Sequence, residues 1–224
     1  MSSPNVSFDT NDPDPTSITY DSFTDAYDLL NERLFDGRLP HCLITMQRKH
    51  GAFGYFSGDR FGTQDGSEIT DEIALNPSHF KSRTTEQSLS TLAHEMCHLE
   101  QHHFGSPSRG GYHNKEWGAM MKAIGLMPSD TAAPGGKETG QRVSHYIAPD
   151  GPFATVCAEM IEEGFELHYV ELGNPKTRKA KAASKTKYTC LKCGLNAWGK
   201  PAIHLTCDDC KELMTELKNW YVLS

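Results

Sequence analysis

Long hydrophobic runs are missing from this 224-residue chain, which leaves no sequence candidate for a bilayer-spanning helix. The first residues, Met1-Ser2-Ser3-Pro4, carry neither a basic n-region nor an apolar h-region, so no secretory signal is expected. Excess positive charge is also missing. Lys and Arg number 22 against 29 Asp and Glu, and the net charge of −7 excludes a uniformly basic nucleic-acid binder. An even set of cysteines is absent as well, and seven fit a reducing, intracellular setting better than a disulfide framework. What remains, 37% hydrophobic and 23% charged residues, suits one globular core with room for a small second module.

The charge is unevenly spread. Residues 172–224 hold ten Lys or Arg against four Asp or Glu, a balance of +6, whereas residues 1–171 stand at −13. A basic tail on an acidic body points to an anionic partner, with nucleic acid the first candidate. Residues 1–18, rich in Asp, Asn, Pro and Ser, read as an acidic leader without a fixed fold. Helical spacing of Phe23, Ala26, Tyr27, Leu30 and Leu34 predicts a helix over 20–35, closed by Asp36-Gly37. Strands are expected at 42–46, around 53–56 and at 68–75, with helices over 84–104 and 114–124. Short strands at 143–147 and 165–170, paired through Asp150-Gly151, complete the expected α+β domain over 19–172. Residues 173–187 then read as a basic linker and 188–224 as a small terminal module.

His94-Glu95-Met96-Cys97-His98 lies in the long predicted helix. Histidines four residues apart share a helix face, so both imidazoles reach one metal ion with Glu95 beside them. Zinc held this way lowers the pKa of its water, and a neighbouring carboxylate takes the proton. A catalytic zinc needs a third protein ligand. His102 continues the series, but it stands about 12 Å along the axis from His94, too far to share an ion. It and His103 are expected to be ordinary polar residues at the helix end. Glu116 and His113, both beyond that helix, are the remaining candidates.

The chain resembles the SprT-like zinc metalloproteases. The likeness rests on Tyr27-Asp28-Leu29-Leu30-Asn31-Glu32-Arg33-Leu34-Phe35-Asp36-Gly37-Arg38-Leu39-Pro40, on Gly54-Tyr55-Phe56, on Ile73-Ala74-Leu75-Asn76 and on the histidine motif. It implies a zincin-like domain in which a small sheet packs on the motif helix. It also implies His113 as third ligand, Glu95 as the catalytic base, and protein as substrate. Asn114 departs from the Gly that often follows this histidine in the family. Residues 128–171 carry no recognised family motif. For the oxyanion, Tyr112, His145 and Tyr146 are candidate donors.

Cys190-Leu191-Lys192-Cys193 and Cys207-Asp208-Asp209-Cys210 form two knuckles whose four thiolates suit a closed structural zinc site. Two zinc ions, one catalytic and one structural, are thus expected. Lys192, Lys200 and Trp198 are candidate nucleic-acid contacts, although Trp198 equally suits a cover for the metal. Lys176, Arg178, Lys179, Lys181, Lys185 and Lys187 would add salt-sensitive, sequence-independent affinity for nucleic acid. The resemblance implies cleavage of DNA-bound or DNA-crosslinked proteins. A non-catalytic nucleic-acid adaptor and a peptidase unlinked to DNA are the rival readings, and no membrane partner is expected.

Overall fold

A computed structural model describes residues 14–172 and 185–216. The chain divides into two compact units at Gly173 and Asn174.

Helix α1 (Pro15–Leu34) starts where Asp14 caps the backbone N–H of Ser17 and Pro15 opens the first turn. The helix therefore takes in residues 15–18, which the composition had assigned to the leader; residues 1–13 lie outside the described residues. Its buried face, Phe23, Ala26, Tyr27, Leu30 and Asn31, follows the helical period. Asp36 (φ 56°) and Gly37 (φ 66°) then end it, with Gly37 N–H returning to the Asn31 carbonyl.

Three strands follow: β1 (Leu43–Met46), β2 (Gly54–Gly62) and β3 (Ile69–Leu75). They pair in the order β1-β3-β2, with β1 parallel and β2 antiparallel to the central β3. β2 runs six residues past the predicted Phe56 because it continues through a bulge between Ser57 and Phe61. Central β3 is the apolar one, burying Ile73, Ala74 and Leu75.

Helix α2 (Thr85–Phe104) packs on this sheet, its start fixed by a capping box between Thr84 and Gln87. Leu89, Leu92, Ala93, Met96 and Leu99 join the core, which also takes residues from α1, β3 and the later helices. Helix α3 (Lys115–Ala123) is capped by Asn114, whose Oδ1 accepts from Trp117 N–H at 2.9 Å. The Asn that departs from the family pattern thus serves as an N-cap.

The chain then departs from expectation. β4 (Leu126–Ser129) pairs antiparallel with β5 (Ser144–Ile147), so the partner of β5 precedes it. Residues 152–162 form α4 (Pro152–Glu162), and no strand forms at 165–170. Thr155, Val156 and Phe153 are weak helix formers, yet Pro152 opens the helix, and Phe153, Val156, Cys157 and Met160 bury at helical spacing. Phe165, Leu167 and Val170 still pack on the core, as chain without a ladder partner.

The second unit holds β6 (Thr186–Thr189), β7 (Asn196–Gly199), β8 (Thr206–Cys207), β9 (Glu212–Leu213) and β10 (Thr215–Glu216). β6 lies between β10 and β7, so Thr186 and Lys187 belong to this sheet rather than to the linker. Its apolar cluster has four buried members, Tyr188, Cys190, Cys207 and Met214. No described helix is long and apolar enough to cross a membrane.

Candidate active site and metal centres

The helical period of α2 puts His94 and His98 on one face, and the start of α3 brings His113 against them. One ring nitrogen from each lies within 4.8 Å of the others. Ring centroids are 5.2 Å (His94–His98), 5.5 Å (His94–His113) and 4.9 Å (His98–His113) apart. Trp117, one turn after His113, forms the wall behind all three, with its ring 4.3 Å from that of His113 and stacked on His98 at 5.1 Å. It is fully buried, and its Nε1 has no hydrogen-bond partner among the described residues. The i, i+4 spacing from His113 was the sequence signal for this residue.

The hydrogen bonds fix which nitrogens are free. The Ser90 hydroxyl donates its single proton to the Gln87 carbonyl at 2.9 Å, so it accepts from His145 Nε2–H, also at 2.9 Å. His145 Nδ1 is then an acceptor, and His94 Nδ1–H donates to it across 3.1 Å. His113 Nδ1–H donates to the Gly140 carbonyl at 3.2 Å. Both His94 and His113 are left with an Nε2 lone pair for a metal. Burial, with mutual repulsion, holds His94 well below the ordinary imidazole range and His98 down to about 3; burial also lowers His113. All three are thus neutral and able to ligate at neutral pH. The donor set suits zinc.

Glu95 is 5% exposed and sits on the sheet side of α2. Burial pushes its carboxyl up to about 8, against the opposing pull of Lys49 and a hydrogen bond from Phe56 N–H. Gly54 lets β2 come this close. A Cβ there would lie 3.3 Å from Glu95 Oε1 and only 2.8 Å from the Ala74 carbonyl.

The other candidates separate from the site. Glu116 Oε2 accepts from Ser106 N–H at 2.7 Å and Gln101 Nε2 at 2.6 Å, which holds it at the turn between α2 and α3. His145 has both nitrogens engaged by His94 and Ser90, so it supports a ligand rather than facing an oxyanion. Tyr112 lies under Arg109 at 5.5 Å, and Tyr146 is half-buried. Nothing in the sequence singled out Gly140 or His145 as supports, since both come from the segment without a recognised motif.

In the second unit the sulfurs of Cys190, Cys193, Cys207 and Cys210 lie within 4.8 Å of one another, and all four are free thiols. Each knuckle closes through an equivalent bond: Gly194 N–H to the Cys190 carbonyl, and Lys211 N–H to that of Cys207, both 2.8 Å. Backbone N–H groups of the first knuckle bring Cys190 down to about 7, which favours its thiolate. Trp198 is 63% exposed, so it does not cover this cluster. It pairs in register with exposed Lys187, and the two share one face of the sheet. Lys185, Lys192 and Lys200 are also exposed, whereas Lys176, Arg178, Lys179 and Lys181 lie outside the described residues.

Comparison with known proteins bears on the first unit. An uncharacterized protein in the mucB 3' region of Salmonella typhimurium is 48% identical over 59 residues, 26% of this chain and 80% of that relative. No solved structure matches the chain. The SprT-like family matches residues 23–138, a stretch that contains the later part of α1 from Phe23 on, the first sheet, the motif helix and His113. On that match, covering just over half of its length, the chain belongs to the SprT-like family.

Proposed function

We propose that this protein is a zinc-dependent endopeptidase with a zincin-like arrangement, acting on DNA-bound or DNA-crosslinked proteins. One observation carries the reading: three neutral imidazoles, those of His94 and His113 buried and that of His98 partly so, converge on one point beside a buried carboxyl. Zinc held by His94, His98 and His113 would supply a Lewis acid that activates water at neutral pH and polarises a peptide carbonyl. Glu95 is the proton carrier. It takes the proton from the attacking water and returns it to the departing amine nitrogen. The carboxyl is held up to about 8 by burial, and a nearby cation favours its ionised form. A buried glutamate costs stability, so an adaptor with no chemistry to perform has no reason to keep it there.

The substrate reading rests on β2, which pairs with β3 on one side and with no other described strand. This free edge passes beside Glu95 and offers main-chain groups to an extended peptide. Recognition through main chain tolerates many side chains.

The DNA reading rests on the second unit and the tether, with residues 14–172 acting as protease, 173–185 as linker and the remainder as ribbon. Trp198 supplies an aromatic plane for a base, and Lys187 beside it a charge for phosphate. The basic residues 176–187 add a term that weakens steeply with salt.

The test compares wild type with Glu95→Gln on a protein crosslinked to DNA, with and without free DNA. Wild type is expected to cleave, and Glu95→Gln to be slower by about 10² to 10⁴. Equal turnover by both rejects the catalytic assignment. Turnover indifferent to DNA and to salt leaves the peptidase and rejects recruitment by DNA.

A further inference from the structure

The last turn of α2 holds a second group of imidazoles that the proposed reaction does not use. His103 Nε2 lies 2.6 Å from Asp71 Oδ2, and His102 Nε2 lies 3.9 Å from Asp71 Oδ1. Asp59 Oδ2 is 3.3 Å from His102 Nε2. Neighbouring helix residues normally diverge by about 100°. Here the two rings converge on one carboxylate, with centroids 4.9 Å apart and planes at 85°.

Three features of β2 and β3 make room for this arrangement. Asp71 is 4% exposed in β3, although a buried carboxylate is costly unless it is well compensated. Its Oδ1 accepts from the backbone N–H of Asp59 at 2.7 Å, which ties the bulge of β2 to the cluster. Asp59 takes a left-handed conformation (φ 52°), rare for a residue with a side chain. At Gly58, any Cβ would meet the His102 ring at 2.6 Å, so glycine leaves the space that the imidazole fills.

We propose that Asp71, His102 and His103, with Asp59 as fourth donor, form a binding site for a divalent first-row transition metal, separate from the His94 and cysteine centres. Donors on a tetrahedron of about 2.0 Å bonds stand about 3.3 Å from one another; His102 Nε2 and Asp59 Oδ2 stand 3.3 Å apart, and the two imidazoles lie 2.6 and 3.9 Å from the two oxygens of Asp71. One donor atom from each of Asp71, His102 and His103 already falls within 4.8 Å of the others. As ligands, two carboxylates and two imidazoles together bring a charge of −2, which a divalent ion cancels. The set of nitrogen and oxygen donors, without thiolate, suits zinc and its neighbours more than a soft ion. The C-terminal end of α2 adds the negative pole of a helix. His102 and His103 therefore do more than decorate the helix end. The site lies about 6 Å along the helix axis beyond His98, and its occupancy does not depend on the proposed catalysis.

Zinc is the probe. The full chain, stripped with chelator and reloaded, is expected to hold three zinc ions by elemental analysis after desalting. His102→Ala and Asp59→Asn, both at exposed or half-exposed positions, should each hold two. Competition titration should show the affinity of the third ion reduced at least about tenfold in each. The combination of His98→Ala with His102→Ala should hold one, because each change removes a different ion. Two zinc ions in the wild type, or a third that survives both single variants, would overturn the site.

Discussion

The histidine centre and the cysteine centre sit in opposite kinds of surroundings. Around His94, His98 and His113 lies a core drawn from four helices and the sheet, including Leu92, Met96, Trp117 and Phe153. Around the four sulfurs, among the described residues, Tyr188 and Met214 are the buried apolar side chains besides two of the cysteines themselves, with Ala197 and Leu205 packed against them. The first unit buries enough apolar surface to hold its ligands in place before any ion arrives. On the proposed reading, the second would draw its folding free energy from the ion. The proposed structural site would then replace a core, and the proposed catalytic site would rest on one.

The sharpest way to break this comparison is to remove metal. Structural zinc in small modules contributes about 10–16 kcal/mol, so chelator, or Cys193→Ser, should unfold 185–216 completely. Hydrogen exchange at Ala197 and Cys190 should lose protection while Leu92 and Met96 keep theirs. Equal loss in both units would show that the histidine centre is also structural.

Acid is the next largest probe, applied to metal-free protein. Burial holds His98 down to about 3 and His145 down to about 4, both from 6.5, and lowers His94 and His113 as well. The unfolded chain takes up protons near pH 6.5 where the folded chain does not, so stability falls as pH drops from about 6.5 to about 4. Glu95 works the other way. With its carboxyl raised from 4.5 to about 8, it adds stability as pH falls from 8 toward 4.5. Four imidazoles outweigh one carboxyl in the lower window, so the melting temperature of the first unit should rise slightly to about pH 6.5 and then fall. A steady rise down to pH 5 would contradict the buried neutral triad.

A smaller effect separates support from ligation. His145→Ala leaves His94 Nδ1–H without its acceptor, and zinc affinity at the histidine centre should drop about 10–100-fold. His145→Asn, able to accept the same bond, should recover part of the loss; unchanged affinity in the alanine variant would remove His145 from this role. The smallest effect lies in the second knuckle. Lys211 adopts φ 55° where its counterpart Gly194 adopts φ 76°. Lys211→Gly should therefore stabilise the ribbon by about 1 kcal/mol, read as chelator resistance. The exposed ion pair to Asp208 that it forfeits is worth little.

How much of this could be read from the sequence depends on distance along the chain. Helical periodicity alone places His94 and His98 together, and two CxxC pairs announce their own chelate. His113 needed the family likeness, because fourteen residues lie between it and His98 and the helical period ends at Phe104. The supporting roles of His145 and Gly140 left no local signal, since their partners lie 51 and 27 residues away. The fold shows the same limit. Strong periods gave α1, β3 and α2, whereas α4 was hidden by weak helix formers and a turn-like Asp150-Gly151. At 165–170 the apolar residues Phe165, Leu167 and Val170 do pack inward while Tyr169 stays exposed, but inward-facing side chains do not decide whether a partner strand exists.

The bridge between His113 and Gly140, two backbone bonds of 2.9 and 3.0 Å, has a further consequence. Two of the three imidazoles come as a rigid pair on one helix, and the third is delivered by a loop that must close. The loop from Asp130 to Val143 also leads into β5, which carries His145 to its bond with His94. One connection thus holds supports for two of the three imidazoles, as a buckle draws in both ends of a belt.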